Sequence, residues 1–151
     1  MTIGEICTRD VIVVNREDSV IKVAKLMREY HVGDVVIVDK NMDQNLPVGI
    51  ITDRDIVLEL VAKEVDINSV MAGDIMSMEL LIAEEDEQLT DLAQRMQLKG
   101  VRRVPVVNDK GGLVGIVTED DIIEQIGEQL SNLVSLVNKE GHREHAMRAQ
   151  I

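Results

Sequence analysis

A threonine and an aspartate three residues apart occur twice in this chain: Thr52 and Asp55 in GIITDRDI (49–56), Thr118 and Asp121 in GIVTEDDI (115–122). Each pair stands where an apolar run gives way to acidic, helix-opening residues, and the two octapeptides lie 66 residues apart. A threonine hydroxyl at such an exit can donate to a phosphate or ribose oxygen. An aspartate in the first helical turn can accept from both vicinal hydroxyls of a ribose, and the unpaired N–H groups of a helix N-terminus attract anions. The same residues could instead be purely local structure, the threonine capping the helix and the aspartate complementing its dipole. The recurrence of the pair in one context favours ligand binding.

Other chemistry is sparse. Cys7 is the single cysteine, with no base beside it, and reads as a small packed side chain. One cysteine precludes an intramolecular disulfide, as expected in a reducing compartment. His142 and His145 are spaced i, i+3 but lie in a polar tail with no third ligand, so they read as solvated. No nucleophile–base pair, metal cluster or glycine-rich phosphate loop is present, so an enzyme is not expected, nor any metal beyond one carried in by a nucleotide. A formal net charge of −12 argues against duplex nucleic acid. With no Phe, no Trp and only Tyr30, stacking platforms for single strands are missing. A bound anion must then meet a small local cluster of positive charge. No apolar run approaches the roughly 20 residues of a membrane span, and residues 1–10 lack a signal-peptide pattern. The expected location is cytoplasmic.

The elements that must position the two Thr/Asp pairs are also duplicated. GEICTRDVIVV (4–14) aligns with GDIMSMELLIA (73–83), SVIKVAKLMREYHV (19–32) with QLTDLAQRMQLKGV (88–101), and VVIVD (35–39) with VPVVN (104–108). The offset is 69 until the longer turn KNMDQNLP (40–47) reduces it to 66. Each unit reads as a short strand (11–14; 80–83), then a helix start near Ser19 or Thr90. An amphipathic helix follows, with Val20, Val23, Ala24, Met27 or Leu89, Leu92, Ala93, Met96 at helical spacing. Two apolar strands joined by an Asn/Asp/Gly turn come next, and then a second helix opening at Asp53 or Glu119. With no Phe or Trp, Met27, Met71, Met76, Met78 and Met96 are expected to fill core gaps. The order is β-α-β-β-α twice: an α+β chain with units at 1–70 and 71–135 and a helical extension or tail at 136–151. Units this small bury too little surface alone, so they should pack on each other.

That order, with G-h-h-T-x-x-D closing the third strand, GDIMS before the first strand of the second unit and RRVPVV at 102–107, resembles the cystathionine-β-synthase (CBS) domain. Two in tandem resemble a Bateman module, and the likeness covers nearly the whole chain. The resemblance implies two repeats packed through their sheets about a pseudo-twofold, leaving two clefts. Such clefts hold adenosyl ligands: AMP, ADP or ATP, with NAD or S-adenosylmethionine also possible. It implies ribose held by Thr52 and Asp55 or by Thr118 and Asp121. Adenine would lie near the segments after Thr8 and Ser77, between aliphatic side chains for which Val11–Ile12 and Leu80–Leu81 are candidates. These four could equally be plain core. The module would then be regulatory, acting in signal transduction on an unidentified protein client. The competing reading is a ligand-independent dimeric scaffold.

The copies differ where phosphates would sit. Arg102-Arg103 in the second copy stand against Gly33-Asp34 in the first. The resemblance implies that the arginines reach across the pseudo-twofold to a nucleotide whose ribose is on Asp55, while the Asp121 cleft faces Asp34. A carboxylate a few ångströms from a phosphate is repulsive by about 1 to 4 kcal/mol, so the second cleft should prefer an uncharged or cationic adenosyl ligand, or stay empty. Arg54 is a further binding candidate, although neither it nor Asp120 can be assigned to a cleft. The arginines could alternatively be a solvated strand edge. In the last helix, Ile122, Ile126, Leu130, Leu133 and Val137 form a stripe that asks for a partner helix, which predicts a homodimer through the repeat helices.

Overall fold

The computed structural model describes residues 1–77 and 80–149; Met78 and the last two tail residues lie outside them. The sheet alternation is visible at once. In β2 (Asp34–Asn41), Val35 and Ile37 pack under α2 (Val20–Tyr30) with Val23, Met27 and Ile51. Val36 and Val38 point the other way, into a cluster with Ile50 and Ile116. This is the period-two consequence of burying both faces of a strand. Ile50 and Ile116 are counterpart positions of the two repeated phrases, so the pseudo-twofold passes between sheets that meet face to face.

The first sheet has the order β1 (Val13–Val14), β2, β3 (Gln44–Thr52), with β1 parallel and β3 antiparallel to β2. The second repeats it with β4 (Ala83–Glu84), β5 (Arg103–Val107) and β6 (Leu113–Thr118). β1 and β4 are shorter than the expected strands. The hairpin strands of the first copy instead run into the expected turn, leaving only Met42 and Asp43 between them, with Met42 left-handed at φ 54°. Pro47, which has no N–H to donate, sits opposite Val38 where the register shifts by a bulge.

Ser19 caps α2, its hydroxyl accepting from Lys22 N–H at 3.1 Å. The counterpart helix α5 (Leu89–Lys99) starts one residue before Thr90, and its capping position is Gln88, which makes no side-chain cap bond. Thr90 therefore lies inside the first turn. Both helices end in a left-handed residue, His31 in one and Gly100 in the other. Of the expected methionine fillers, Met27, Met76 and Met96 are buried, whereas Met71 is half exposed.

Two short helices were not expected: α1 (Ile3–Ile6) and α4 (Ala72–Ile75). Each belongs to the core of the other repeat. Ile3, wholly buried, packs with Leu92, Val104, Val117 and Ile122 of the second unit. Ala72 and Met76 pack with Val14, Val23, Val35 and Ile51 of the first. Backbone bonds repeat the exchange symmetrically: Gly4 N–H donates to Glu85 O at 2.8 Å, and Gly73 N–H to Arg16 O at 2.9 Å. Thr8 pairs with Ile116 and Ser77 with Ile50 in isolated antiparallel bridges. This crossing explains the glycine of each phrase. A Cβ on Gly115 would stand 2.9 Å from Thr8 O and 2.7 Å from Cys7 Sγ, and one on Gly49 would stand 2.7 Å from Met76 Sδ.

The second helix of the first copy is brief: α3 (Asp53–Ile56) passes into one π-helical turn over Val57–Val61. Its counterpart α6 (Glu119–Ala149) runs for 31 residues. Only Ile122 of the expected stripe is buried in the chain; Ile126, Leu130, Leu133 and Val137 are 51–67% exposed. Among the described residues the stripe is thus largely exposed from its second turn onward, Ile126 bordering Met1 and Leu89.

Candidate functional site

The strand-to-helix junctions have identical local chemistry. Asp55 Oδ2 accepts from Thr52 N–H at 2.9 Å, and Thr52 Oγ1 accepts from Asp55 N–H at 3.1 Å. At the second junction Asp121 Oδ2 accepts from Thr118 N–H at 2.9 Å, and Thr118 Oγ1 from Asp121 N–H at 3.2 Å. The capping reading of both pairs is therefore real. It leaves room for the other. A hydroxyl that accepts still has a proton to donate, and only one oxygen of each carboxylate is used. Thr52 O–H and Asp55 Oδ1 remain for a ligand.

The expectation that the helix N-terminus itself would attract an anion does not hold at the first junction. Asp53 N–H donates to Gly33 O at 3.0 Å, Arg54 N–H to the Asp53 carboxylate at 2.8 Å, and Asp55 N–H to Thr52. These amides are already satisfied, and α3 is too short for much dipole. Phosphate recognition there falls to side chains.

One cleft of about 280 Å³ gathers residues from both repeats: Thr52 and Asp55 with Ile50 from the first, and Ser77, Leu80, Leu81, Arg102 and Arg103 from the linker and second. Gly100 and Val101 complete the wall; sequence reasoning passed over them, although KGV at the end of α5 marked a left-handed helix stop. Ser77 is placed by its backbone bond to Ile50 O at 3.1 Å, so the exchanged segment forms one wall. Leu80 and Leu81 lie part-buried, their aliphatic surfaces shared between the cleft and the cores. Arg54 does not line this cleft.

The counterpart cleft differs. A cavity of about 340 Å³ near Thr118 is lined by Asp34, Arg102, Arg103, Glu119 and Asp120. Thr8, Val11, Ile12 and Asp121 do not line it, so the candidates for an adenosyl ligand are gathered at the first junction and dispersed at the second. Asp120 thereby faces the Thr118 side.

The expected separation of Arg103 from Asp34 does not hold. Arg103 Nε donates to Asp34 Oδ2 at 2.8 Å, and Arg103 lines both cavities. The two are counterpart residues of the repeats, and counterparts close to a twofold axis are neighbours. Asp34 is thus paired rather than bare. Arg102 is more exposed and lies 3.5 Å from Glu119. Cys7, half-buried against the second core, has its thiol pushed up by burial, the opposite of an activated nucleophile. Among the described residues no helix is long and apolar enough to cross a membrane.

Comparison with known proteins agrees with this geometry. The CBS domain family model matches residues 3–62 and 72–128. An uncharacterized protein of Methanopyrus kandleri, MK0525, is 40% identical over 124 residues, 82% of this chain; the chain spans only 62% of that protein's length. The CBS domain-containing protein YhcV of Bacillus subtilis is 30% identical over 138 residues, covering 87% of this chain and 94% of YhcV. The CBS domain pair of protein MJ0100, solved in complex with 5′-methylthioadenosine and S-adenosyl-L-methionine, superposes with a TM-score of 0.73 at 29% identity, over 85% of this chain and 98% of that one. Two matched repeats, a shared pair architecture and the Thr-x-x-Asp junctions together establish that the chain belongs to the CBS domain family, as a tandem pair.

Proposed function

We infer that this chain is a regulatory module that binds an adenosyl ligand in the Asp55 cleft and so modulates a protein partner. The observation that carries the reading is the convergence on one cavity of Thr52, Asp55, Ser77, Leu80, Leu81 and the Arg102-Arg103 pair, drawn from both repeats. Asp55 Oδ1 and the Thr52 hydroxyl take the ribose, the leucines flank the base, and the arginines meet phosphates. AMP, ADP and ATP suit the arginines best. S-adenosylmethionine and methylthioadenosine belong in the comparison because MJ0100 binds them. Because the cavity has walls from both repeats, a ligand there favours whichever arrangement of the repeats fits it better, which is what regulation requires. The reaction-bearing chemistry of an enzyme has no place in this account.

The test is calorimetry and thermal shift with adenosine, AMP, ADP, ATP, NAD, S-adenosylmethionine and methylthioadenosine. A ligand at 100 times its dissociation constant should stabilise the protein by about 2.7 kcal/mol, and Asp55→Ala should remove most of that while the variant remains folded. Unchanged affinity in a folded Asp55→Ala protein refutes the assignment.

A second reading, a ligand-independent dimeric scaffold, is favoured by a different observation: the exposed stripe Ile126, Leu130, Leu133 and Val137. A homodimer through the repeat helices is compatible with both readings. A dimer that forms with no ligand from the panel binding at millimolar concentration would favour the scaffold.

A further inference from the structure

We propose that Asp34 is a positioning residue for phosphate recognition in the opposite cleft: it holds Arg103 by Nε and leaves the guanidinium's outer edge for a ligand's phosphate. This rests on the adenosyl-ligand reading of the Asp55 cleft and adds a residue from the other side of the pseudo-twofold.

Three observations carry it. The Arg103–Asp34 bond uses Nε alone, at 2.8 Å. By contrast, Arg16 grips Asp39 through both Nε and Nη2, each at 2.9 Å, which spends the planar fork on the carboxylate. Arg103 has no protein acceptor on Nη1 or Nη2 among the described residues, so the two N–H groups suited to a bidentate phosphate contact are unspent. Second, Arg103 lines both cavities whereas Asp34 lines only the Thr118 one. Arg103 is thus the residue that links the carboxylate to the Asp55 cleft. Third, the pair is only partly exposed, 36% for the Arg103 side chain and 20% for Asp34, so the arginine is held in one place rather than waving in solvent. A long side chain fixed before the ligand arrives loses less entropy on binding.

The same pair makes the clefts unequal. A phosphate-bearing ligand on Asp55 meets the open edge of Arg103. A ligand on the Thr118 side meets the carboxylates of Asp34, Glu119 and Asp120 beside the same two arginines, so acids outnumber the positive charges there. The module therefore admits one phosphorylated ligand per chain, with its specificity for phosphate resting on a carboxylate that does not touch it.

The experiment is calorimetry of ATP and of adenosine with the full chain and four variants: Asp34→Ala, Asp34→Asn, Arg103→Ala, and the double variant D34A/R103A. The wild type should prefer ATP to adenosine and bind one ATP. Asp34→Ala, which removes the acceptor, should weaken ATP about tenfold, the coupling expected between members of one hydrogen-bond network, and leave adenosine unchanged. Asp34→Asn, which keeps an acceptor for Nε–H, should restore most of the lost ATP affinity. Arg103→Ala should reduce the preference at least as far as Asp34→Ala does, Arg102 holding what remains, and Asp34→Ala should add nothing in that background. A purely electrostatic Asp34 gives the opposite sign, with both Asp34 variants binding ATP more tightly, and that overturns the proposal. So does an equal loss of ATP and adenosine, a loss that persists without Arg103, or two equivalent ATP sites. Adenosine binding with an unaltered ATP-to-adenosine ratio in Asp34→Ala sinks the role of Asp34 alone. A wild type that binds neither compound sinks the cleft assignment, and this inference with it.

Discussion

Shaving Ile3 to alanine should loosen the second repeat, the one further from it in sequence. Ile3 is wholly buried among Leu92, Val104, Val117 and Ile122, all residues of the second repeat. Loss of its branched chain from a closed core costs about 2–5 kcal/mol, the transfer term plus the cavity left behind. For a chain of this size each kcal/mol moves the midpoint by about 2–4 °C, so Ile3→Ala should melt roughly 4–20 °C lower. The location of the damage matters more than its size. Native-state hydrogen exchange should show amides of β5 and β6 losing protection while those of β2 and β3 are affected less. Met76→Ala, in the first core, should reverse the pattern. If Ile3→Ala instead loosens β2 and β3 and spares β5 and β6, the exchange of short helices between repeats is refuted. A loss under 1 kcal/mol would show that Ile3 is not the plug its burial indicates.

Gly115→Ala should destabilise by about 1–3 kcal/mol, because the new Cβ meets the Thr8 carbonyl and cannot be relieved by a rotamer change; chemical denaturation measures it. His31→Gly should stabilise by about 1 kcal/mol, since His31 holds a left-handed conformation that costs a non-glycine residue about that much; an unchanged midpoint would argue against strain there. Leu130→Glu or Leu133→Glu should weaken self-association about tenfold or more, read by sedimentation, if the exposed stripe of α6 is buried in a dimer. The Asp18 carboxyl is held below its ordinary range by the Asn15 N–H and then by Lys22. A depressed folded-state value contributes stability above the unfolded value and loses it as pH falls through the folded one. Acid melting curves should therefore drop below about pH 4, and Asp18→Asn should make them flatter.

The duplicated phrase made the junction chemistry legible before any coordinates: a threonine and an aspartate at a strand exit, twice, with the apolar alternation that stacks two sheets. Alignment of the copies also identified which residues are counterparts. It could not say which copy each counterpart packs on. A chain whose short N-terminal helix closes its own repeat and one whose helices are exchanged have the same offsets and the same hydrophobic pattern. α1 and α4 are four residues each, too short for a helical period to show. The Arg103–Asp34 contact was closer to hand, because counterparts at the start of β5 and β2 must approach each other if the axis runs near them. The amides of the first junction were misjudged for another reason: Gly33 O, Thr52 Oγ1 and Asp53 were available to satisfy them, and only coordinates show that they do.

The exchanged helices also bear on how a nascent chain can acquire this structure. At about 5–20 residues per second, β3 and α3 leave the ribosome before Ala72 and Met76 do, so the first core waits with one wall missing. Of the two exchanged helices, α1 waits the longer. Ile3 cannot dock until Val117 and Ile122, on the far side of both repeats, have emerged. The usual order, in which the amino-terminal half folds and then supports the rest, is closed to this topology. In this order of docking α1 is the last fastening, and a chain interrupted between the repeats would carry that helix bare, open to proteases and holdases, with its own core not yet made.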